Sequence, residues 1–99
     1  MKVAYYSYYN NYILTTKDPL FIVFIFNGRH VRWEIFHKKA TLYDIFSLLK
    51  YHYKIKNFYI MFKNNEVYHK PDNIYVKNIT REAGNDIYVN TKEKITFRD

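Results

Sequence analysis

The residues best suited to proton transfer or metal binding in this chain are four histidines, His30, His37, His52 and His69. No two of them are spaced four residues apart, so the helical metal-binding pattern is missing. The chain has no cysteine, which excludes a thiolate metal site, a thiol nucleophile and a disulfide framework. We therefore expect no metal and no other cofactor.

Other catalytic signals are equally weak. The serine hydroxyls belong to Ser7 and Ser47, and neither lies in a strand-to-helix turn that would expose a nucleophile. The acidic residues are few and scattered, so nothing predicts a working pair of carboxylates. Gly28 and Gly84 are the two glycines, too few for a phosphate-binding loop. The sequence thus predicts a protein that is not an enzyme.

Composition indicates one small folded domain. The chain has 99 residues, and 48% of them are hydrophobic, which suits a single modest core. Its longest apolar run, Leu20–Phe26, is far shorter than the roughly 20 residues that span a bilayer. No apolar segment of secretory type follows the first residues. We expect an intracellular protein, in the cytoplasm or the nucleus.

The formal net charge of +7 favours an acidic partner. A candidate basic surface surrounds the first predicted turn and precedes the predicted helix: Arg29, Arg32, Lys38 and Lys39. Such a surface could bind nucleic acid or an acidic protein. However, the chain is rich in residues that AT-rich codons encode, which accounts for part of the basicity, and it lacks the signature sequences of common RNA-binding modules.

The first predicted element is a β-hairpin. The apolar run Phe21–Phe26 ends at Asn27-Gly28, a dipeptide that supplies the positive φ angles of a tight turn. Apolar and charged residues then alternate from Val31 to Ile35, which predicts a strand with one buried face and one wet face.

The sequence leaves the register of this hairpin open. A two-residue turn places in the core Ile22, Phe24, Phe26, Val31, Trp33 and Ile35. A longer, bulged turn replaces the first three with Phe21, Val23 and Ile25. Either register leaves one apolar row outside the core. We expect the Tyr-rich segment 1–18, a second copy of the chain or a partner to cover that row.

The remaining pattern predicts one helix and several short strands. Helical spacing of apolar residues, with Thr41 as the cap, predicts a helix from Thr41 to about Lys54. Strands are predicted over 58–62, 67–68 and 86–90. Two further residues are predicted as core anchors in a loop or a short 3₁₀ turn: Ile74 and Ile79.

These segments carry a resemblance. Five parts of the sequence resemble successive parts of the ubiquitin-like family. They are the segment 27–35, the residues Thr41-Leu42 with Ile45 and Leu49, the run 60–62 with Val67, the pair Ile74 and Ile79, and the run 86–89. The resemblance covers about seventy of the 99 residues. It implies an α+β, β-grasp fold, with a mixed four- to five-stranded sheet packed on one main helix. Ras-association and doublecortin domains share this order of elements.

The resemblance also implies a domain organisation and a site. The ubiquitin-like domain would span 19–91, between a Tyr-rich N-terminal arm at 1–18 and a polar C-terminal tail at 92–99. Family members commonly bind proteins through an apolar patch, which here would consist of Phe26, Met61 and Val89. Modifiers of the family end in a diglycine, whereas no glycine follows Gly84. We therefore expect a protein-interaction domain and not a conjugated modifier. A homodimer of this domain is one possible assembly.

Overall fold

The computed structural model describes residues 19–95 and residue 97. This part of the chain is α+β, with one five-stranded mixed sheet and two helices. The strands are β1 (Leu20–Phe26), β2 (His30–Phe36), β3 (Tyr59–Phe62), β4 (Val67–Tyr68) and β5 (Asp86–Asn90). Helix α1 (Leu42–Ser47) continues into a π-helical turn (Leu48–His52), and helix α2 (Val76–Ala83) precedes β5.

The strand order across the sheet is β2-β1-β5-β3-β4. Strands β1 and β2 form the predicted antiparallel hairpin, and β1 runs parallel to β5. Strand β3 is antiparallel to both of its neighbours. A parallel pair needs a long crossover, and the segment from β2 to β5, which includes both helices, supplies it.

The turn of the hairpin has three residues, Asn27, Gly28 and Arg29, because Phe26 pairs with His30. Asn27 and Gly28 have φ angles of 51° and 72°, and the Arg29 amide donates to the Phe26 carbonyl at 2.9 Å. These left-handed conformations are the ones that asparagine and glycine tolerate best. The dipeptide therefore sets the turn, as the sequence predicted, and the third residue sets the register.

That register reverses the predicted faces of β2. On β1 the buried residues are Ile22, Phe24 and Phe26. Their neighbours on β2 are His30, Arg32 and Glu34, whereas Val31 and Trp33 are paired with the other row of β1 and are exposed. The prediction that Val31 and Trp33 lie in the core is wrong in both registers, because the three-residue turn puts β2's polar residues on the helix side.

Polar side chains on the helix side of β2 are accommodated individually. Glu34 is only 2% exposed and accepts a hydrogen bond from the hydroxyl of Tyr53. The guanidinium of Arg32 lies 4.5 Å from the ring centroid of Phe97, a cation–π distance. Phe97 also contacts Phe26 and Tyr53, with ring centroids 5.2 and 6.2 Å away, so this residue of the predicted tail packs against the core.

Helix α1 begins as predicted but is less regular than the periodicity indicated. The Thr41 amide donates to the carboxylate of Asp44 at 2.8 Å, and the pair forms a capping box. Beyond Ser47 the turns widen, and the amide of Tyr53 bonds to the carbonyl of Leu48 at 3.3 Å. A π turn brings a residue five positions on back to nearly the same side, so Leu48 and Tyr53 are both buried.

Helix α2 corrects the sequence prediction of a loop or a short 3₁₀ turn with two core anchors. Val76, Ile79 and Ala83 are buried at spacings of three and four residues, which is the pattern of one helical face. Ile79 is therefore a core residue, as predicted, whereas Ile74 precedes the helix and is 37% exposed. Gly84 ends the helix with a φ of 85°, a conformation that favours glycine.

The Tyr-rich arm, 1–18, lies outside the described residues. Its predicted role, to cover the apolar row of β1 that is outside the core, stays a prediction. In the described part of the chain, the core forms between the helices and one face of the sheet. The opposite face of the sheet, which we call the open face, carries the row of β1 that the sequence left without a cover.

Candidate protein-binding surface

One continuous row of side chains crosses the open face on all five strands. Registered pairs connect Val31 to Ile25, Ile25 to Tyr88, Tyr88 to Met61 and Met61 to Val67. Directly paired residues of neighbouring strands point to the same face, so these five side chains are lateral neighbours. Each is apolar or aromatic, although none belongs to the core.

A second row lies beside the first and extends the apolar area. Trp33 pairs with Val23, and Val23 in turn pairs with Asp86 of β5. Phe21 continues this side of β1. We define the open-face patch as Phe21 together with the apolar residues of the two rows: Val23, Ile25, Val31, Trp33, Met61, Val67 and Tyr88.

The open-face patch exposes large side chains to solvent. Trp33 is 57% exposed, Val31 48%, Val67 42% and Phe21 40%. Complete burial of such a side chain is worth about 1.5–3 kcal/mol, so covering the patch would be strongly favourable. Soluble monomers seldom expose a large contiguous apolar area, and those that do commonly use it for binding.

A charged pair borders the open-face patch. The Lys63 ammonium lies 3.1 Å from the carboxylate of Asp86, whose hydrogen bond and negative charge raise the pKa of Lys63. Both side chains remain partly exposed, so the pair is a solvated rim and contributes little to stability. An apolar centre with a polar rim is the usual anatomy of a protein interface.

The predicted patch of Phe26, Met61 and Val89 does not form. Phe26 and Val89 are both 0% exposed and face the helices. Met61 lies on the open face, because it pairs with Tyr88. The prediction placed residues of both faces on one surface, since it lacked the register that separates alternate residues of a strand.

The predicted basic surface is also dispersed. Arg29 is exposed in the turn before β2, whereas Lys38 and Lys39 are exposed after its other end. Seven residues of strand separate these ends by roughly 20 Å. Arg32 lies on the helix side against Phe97, so it does not join either group.

The described histidines do not form a metal centre. No group of three or more histidine, aspartate or glutamate side chains with metal-binding geometry occurs within residues 19–95 and 97. His30 contacts the ring of Phe97 at 4.6 Å and His69 that of Tyr59 at 5.3 Å, whereas His37 accepts a hydrogen bond from the Lys39 amide at 3.1 Å. Partial burial and the nearby Lys39 and Lys38 lower the pKa of His37.

Tyr53 and Glu34 form a buried hydrogen bond that affects the ionisation of the Tyr53 hydroxyl. Burial of the Tyr53 hydroxyl, the charge of Glu34 and the hydrogen bond to it together raise the pKa of Tyr53 strongly. Such a tyrosine stays protonated at neutral pH and acts as a donor to the carboxylate. This hydrogen bond connects β2 to the residue that follows the π-helical turn.

Sequence reasoning missed most of the open-face patch, although one signal was available. It recognised that β1 is apolar on both faces and that one row must lie outside the core. It did not recognise that Val31 and Trp33 join that row, because the alternation in β2 was assigned to the core.

Comparison with protein-family models, with curated proteins and with solved structures finds no match to this chain. Within the described residues, neither helix has the length and apolar character needed to cross a bilayer.

Proposed function

We propose that this protein is a non-catalytic protein-interaction module that binds a protein partner through the open-face patch. The observation that carries the proposal is the row from Val31 to Val67, which crosses all five strands and remains exposed at both ends. The patch includes a tryptophan and a tyrosine, which are enriched in interfaces because they bury a large area and keep a polar group.

The β-grasp assignment and the resemblance to ubiquitin-like interaction domains are part of this proposal. They are supported by the strand order β2-β1-β5-β3-β4, by the parallel pair β1 and β5, and by a helix that packs on one face of the sheet. In the proposed function the open face plays the role that an exposed sheet surface has in that family. Its residues differ from those expected from the sequence, with Trp33 and Val31 in place of Phe26 and Val89.

The proposal excludes conjugation by a ubiquitin-type reaction. The two glycines are not adjacent, since Gly28 lies in the hairpin turn and Gly84 ends helix α2, so this chain offers no diglycine for adenylation. Incubation with a ubiquitin-type activating enzyme and ATP should therefore give no thioester, as measured on a non-reducing gel. An ATP-dependent adduct that dithiothreitol removes would contradict this prediction.

The alternative that the first hairpin binds nucleic acid or an acidic protein has less support. Its four basic residues lie at separate places, and Arg32 is engaged by Phe97. A patch that recognises an extended acidic partner would need several cations on one face.

Site-specific photocross-linking tests the proposed surface directly. A photoreactive phenylalanine analogue replaces Trp33, and a matched control carries it at Tyr75, which is 45% exposed at the start of helix α2. Irradiation in the native host should give a discrete protein adduct from position 33 and not from position 75. An adduct of twice the protein's mass would identify the partner as a second copy of the chain.

Competition makes the result specific. Unlabelled protein should suppress the adduct, whereas the Val31→Ser, Trp33→Ala double variant should not, because it lacks two exposed anchors of the patch. Equal labelling from positions 33 and 75, or suppression by the double variant as effective as by the unaltered protein, would contradict the proposal.

A further inference from the structure

A concave surface other than the open-face patch lies where β3 begins, beside the π-helical turn that follows helix α1. Two pockets of about 260 and 840 Å³ adjoin here and share Lys56, Phe58 and His69. We call these joined pockets the trough. Neither Val31 nor Trp33 of the open-face patch lines the trough.

The smaller pocket combines aromatic and cationic side chains. Phe46 and Phe58 both line it, with ring centroids 5.1 Å apart. The π-helical turn contributes Lys50 and Tyr51 to the lining, where the Lys50 ammonium lies 5.6 Å from the ring centroid of Tyr51. Tyr51 is 55% exposed, so one side of its ring is available to a ligand. Among the described residues, no acidic side chain lines this pocket.

Two of the lysines that line the trough have no carboxylate partner among the described residues. Within residues 19–95 and 97, neither Lys50 nor Lys56 forms an ion pair with a carboxylate. Glu93, an acidic residue that lines the trough, accepts hydrogen bonds from the backbone amides of Lys56 and Asn57. Its carboxylate therefore binds backbone amides and forms no ion pair with the ammonium of Lys50 or Lys56.

The larger pocket adds hydrogen-bonding groups to this charge. Its lining includes Tyr59 and three asparagines, Asn27, Asn57 and Asn90, together with Lys92. The trough thus presents cations for phosphates, aromatic rings for bases and amides for base edges. These are the components of sites that bind single-stranded nucleic acid.

We propose that the trough binds single-stranded nucleic acid, with phosphates on Lys50 and Lys56 and a base stacked on Tyr51. The concave shape and the exposed ring favour a single strand over a duplex, because the bases of a duplex are already stacked on one another. An acidic protein would use the cations and leave the aromatic rings unused. The trough shares no residue with the open-face patch, so it can be tested with the protein alone.

Fluorescence anisotropy with a labelled single-stranded oligothymidylate of about ten nucleotides tests the site. The Lys50→Glu, Lys56→Glu variant should weaken binding at least about tenfold and lower the slope of log K against log salt by about 1.4, since each phosphate contact contributes about 0.7. Tyr51→Ala should weaken binding about tenfold, and Tyr51→Phe should restore it, because a phenyl ring also stacks.

A matched control separates this site from general electrostatics. Arg29→Glu, Lys39→Glu makes the same change in charge at the two ends of β2, where both side chains are exposed. It should retain most of the affinity, and a duplex of equal length should bind more weakly than the single strand. Equal losses in the two charge variants, no loss with Tyr51→Ala, or no binding at low salt would overturn the proposal. Circular dichroism should show that each variant is folded.

Discussion

Phe24→Ala should lower the free energy of unfolding by about 3–5 kcal/mol, whereas Trp33→Ala should change it by no more than about 0.5 kcal/mol. Phe24 is 0% exposed and packs on Phe26 and Phe36, with ring centroids 6.1 and 6.2 Å away. Its truncation removes buried contacts and leaves a cavity. Trp33 is 57% exposed on the open face, so its truncation removes little buried area.

Urea denaturation of the two variants, with the unaltered protein as reference, measures this difference. The comparison tests the register of the hairpin, because a two-residue turn would bury Trp33 on the same side of the sheet as Phe24. Destabilisation by Trp33→Ala comparable to that by Phe24→Ala would contradict the observed pairing of Phe26 with His30.

Tyr53→Phe should destabilise the fold by about 1.5–3 kcal/mol near pH 8. The substitution keeps the ring but removes the hydroxyl that donates to Glu34, and hydrogen bonds to charged groups contribute about this much. Because Glu34 is 2% exposed, solvent can replace the lost donor only in part. Tyr43→Phe is the matched control, since Tyr43 is 49% exposed and should lose little stability.

The same variant should show a distinct response to alkaline pH. The pKa of Tyr53 is raised in the folded protein, whereas in the unfolded chain the group titrates near its ordinary value of about 10. Above that pH the unfolded state has lost this proton and the folded state retains it, so unfolding becomes more favourable as pH rises. The contribution is complete below about pH 10 and falls by about 1.4 kcal/mol per pH unit above it.

Denaturation of both proteins from pH 8 to about pH 11 isolates this contribution, because all other groups titrate in both. The stability difference between the unaltered protein and Tyr53→Phe should narrow above about pH 10. A constant difference across this range would show that Tyr53 titrates alike in the folded and unfolded states.

The order of elements could be predicted from local sequence because each signal is short-range. Asn27-Gly28 can adopt the positive φ angles that a turn requires, and Thr41 with Asp44 can cap a helix. The continuous apolar run of β1 indicated a strand with apolar residues on both faces. Helix α2 is also encoded, in the spacing of Val76, Ile79 and Ala83, although a loop or a short 3₁₀ turn is predicted there from the sequence.

Tertiary structure alone decided which residues face outward. The hairpin dipeptide fits a turn of two or three residues, and one added residue exchanges the faces of β2. Only the packed structure shows that Glu34 can be buried, since its partner Tyr53 lies 19 positions away in the sequence. Once that contact places Glu34 inside, Trp33 and Val31 must lie outside, because successive residues of a strand point in opposite directions.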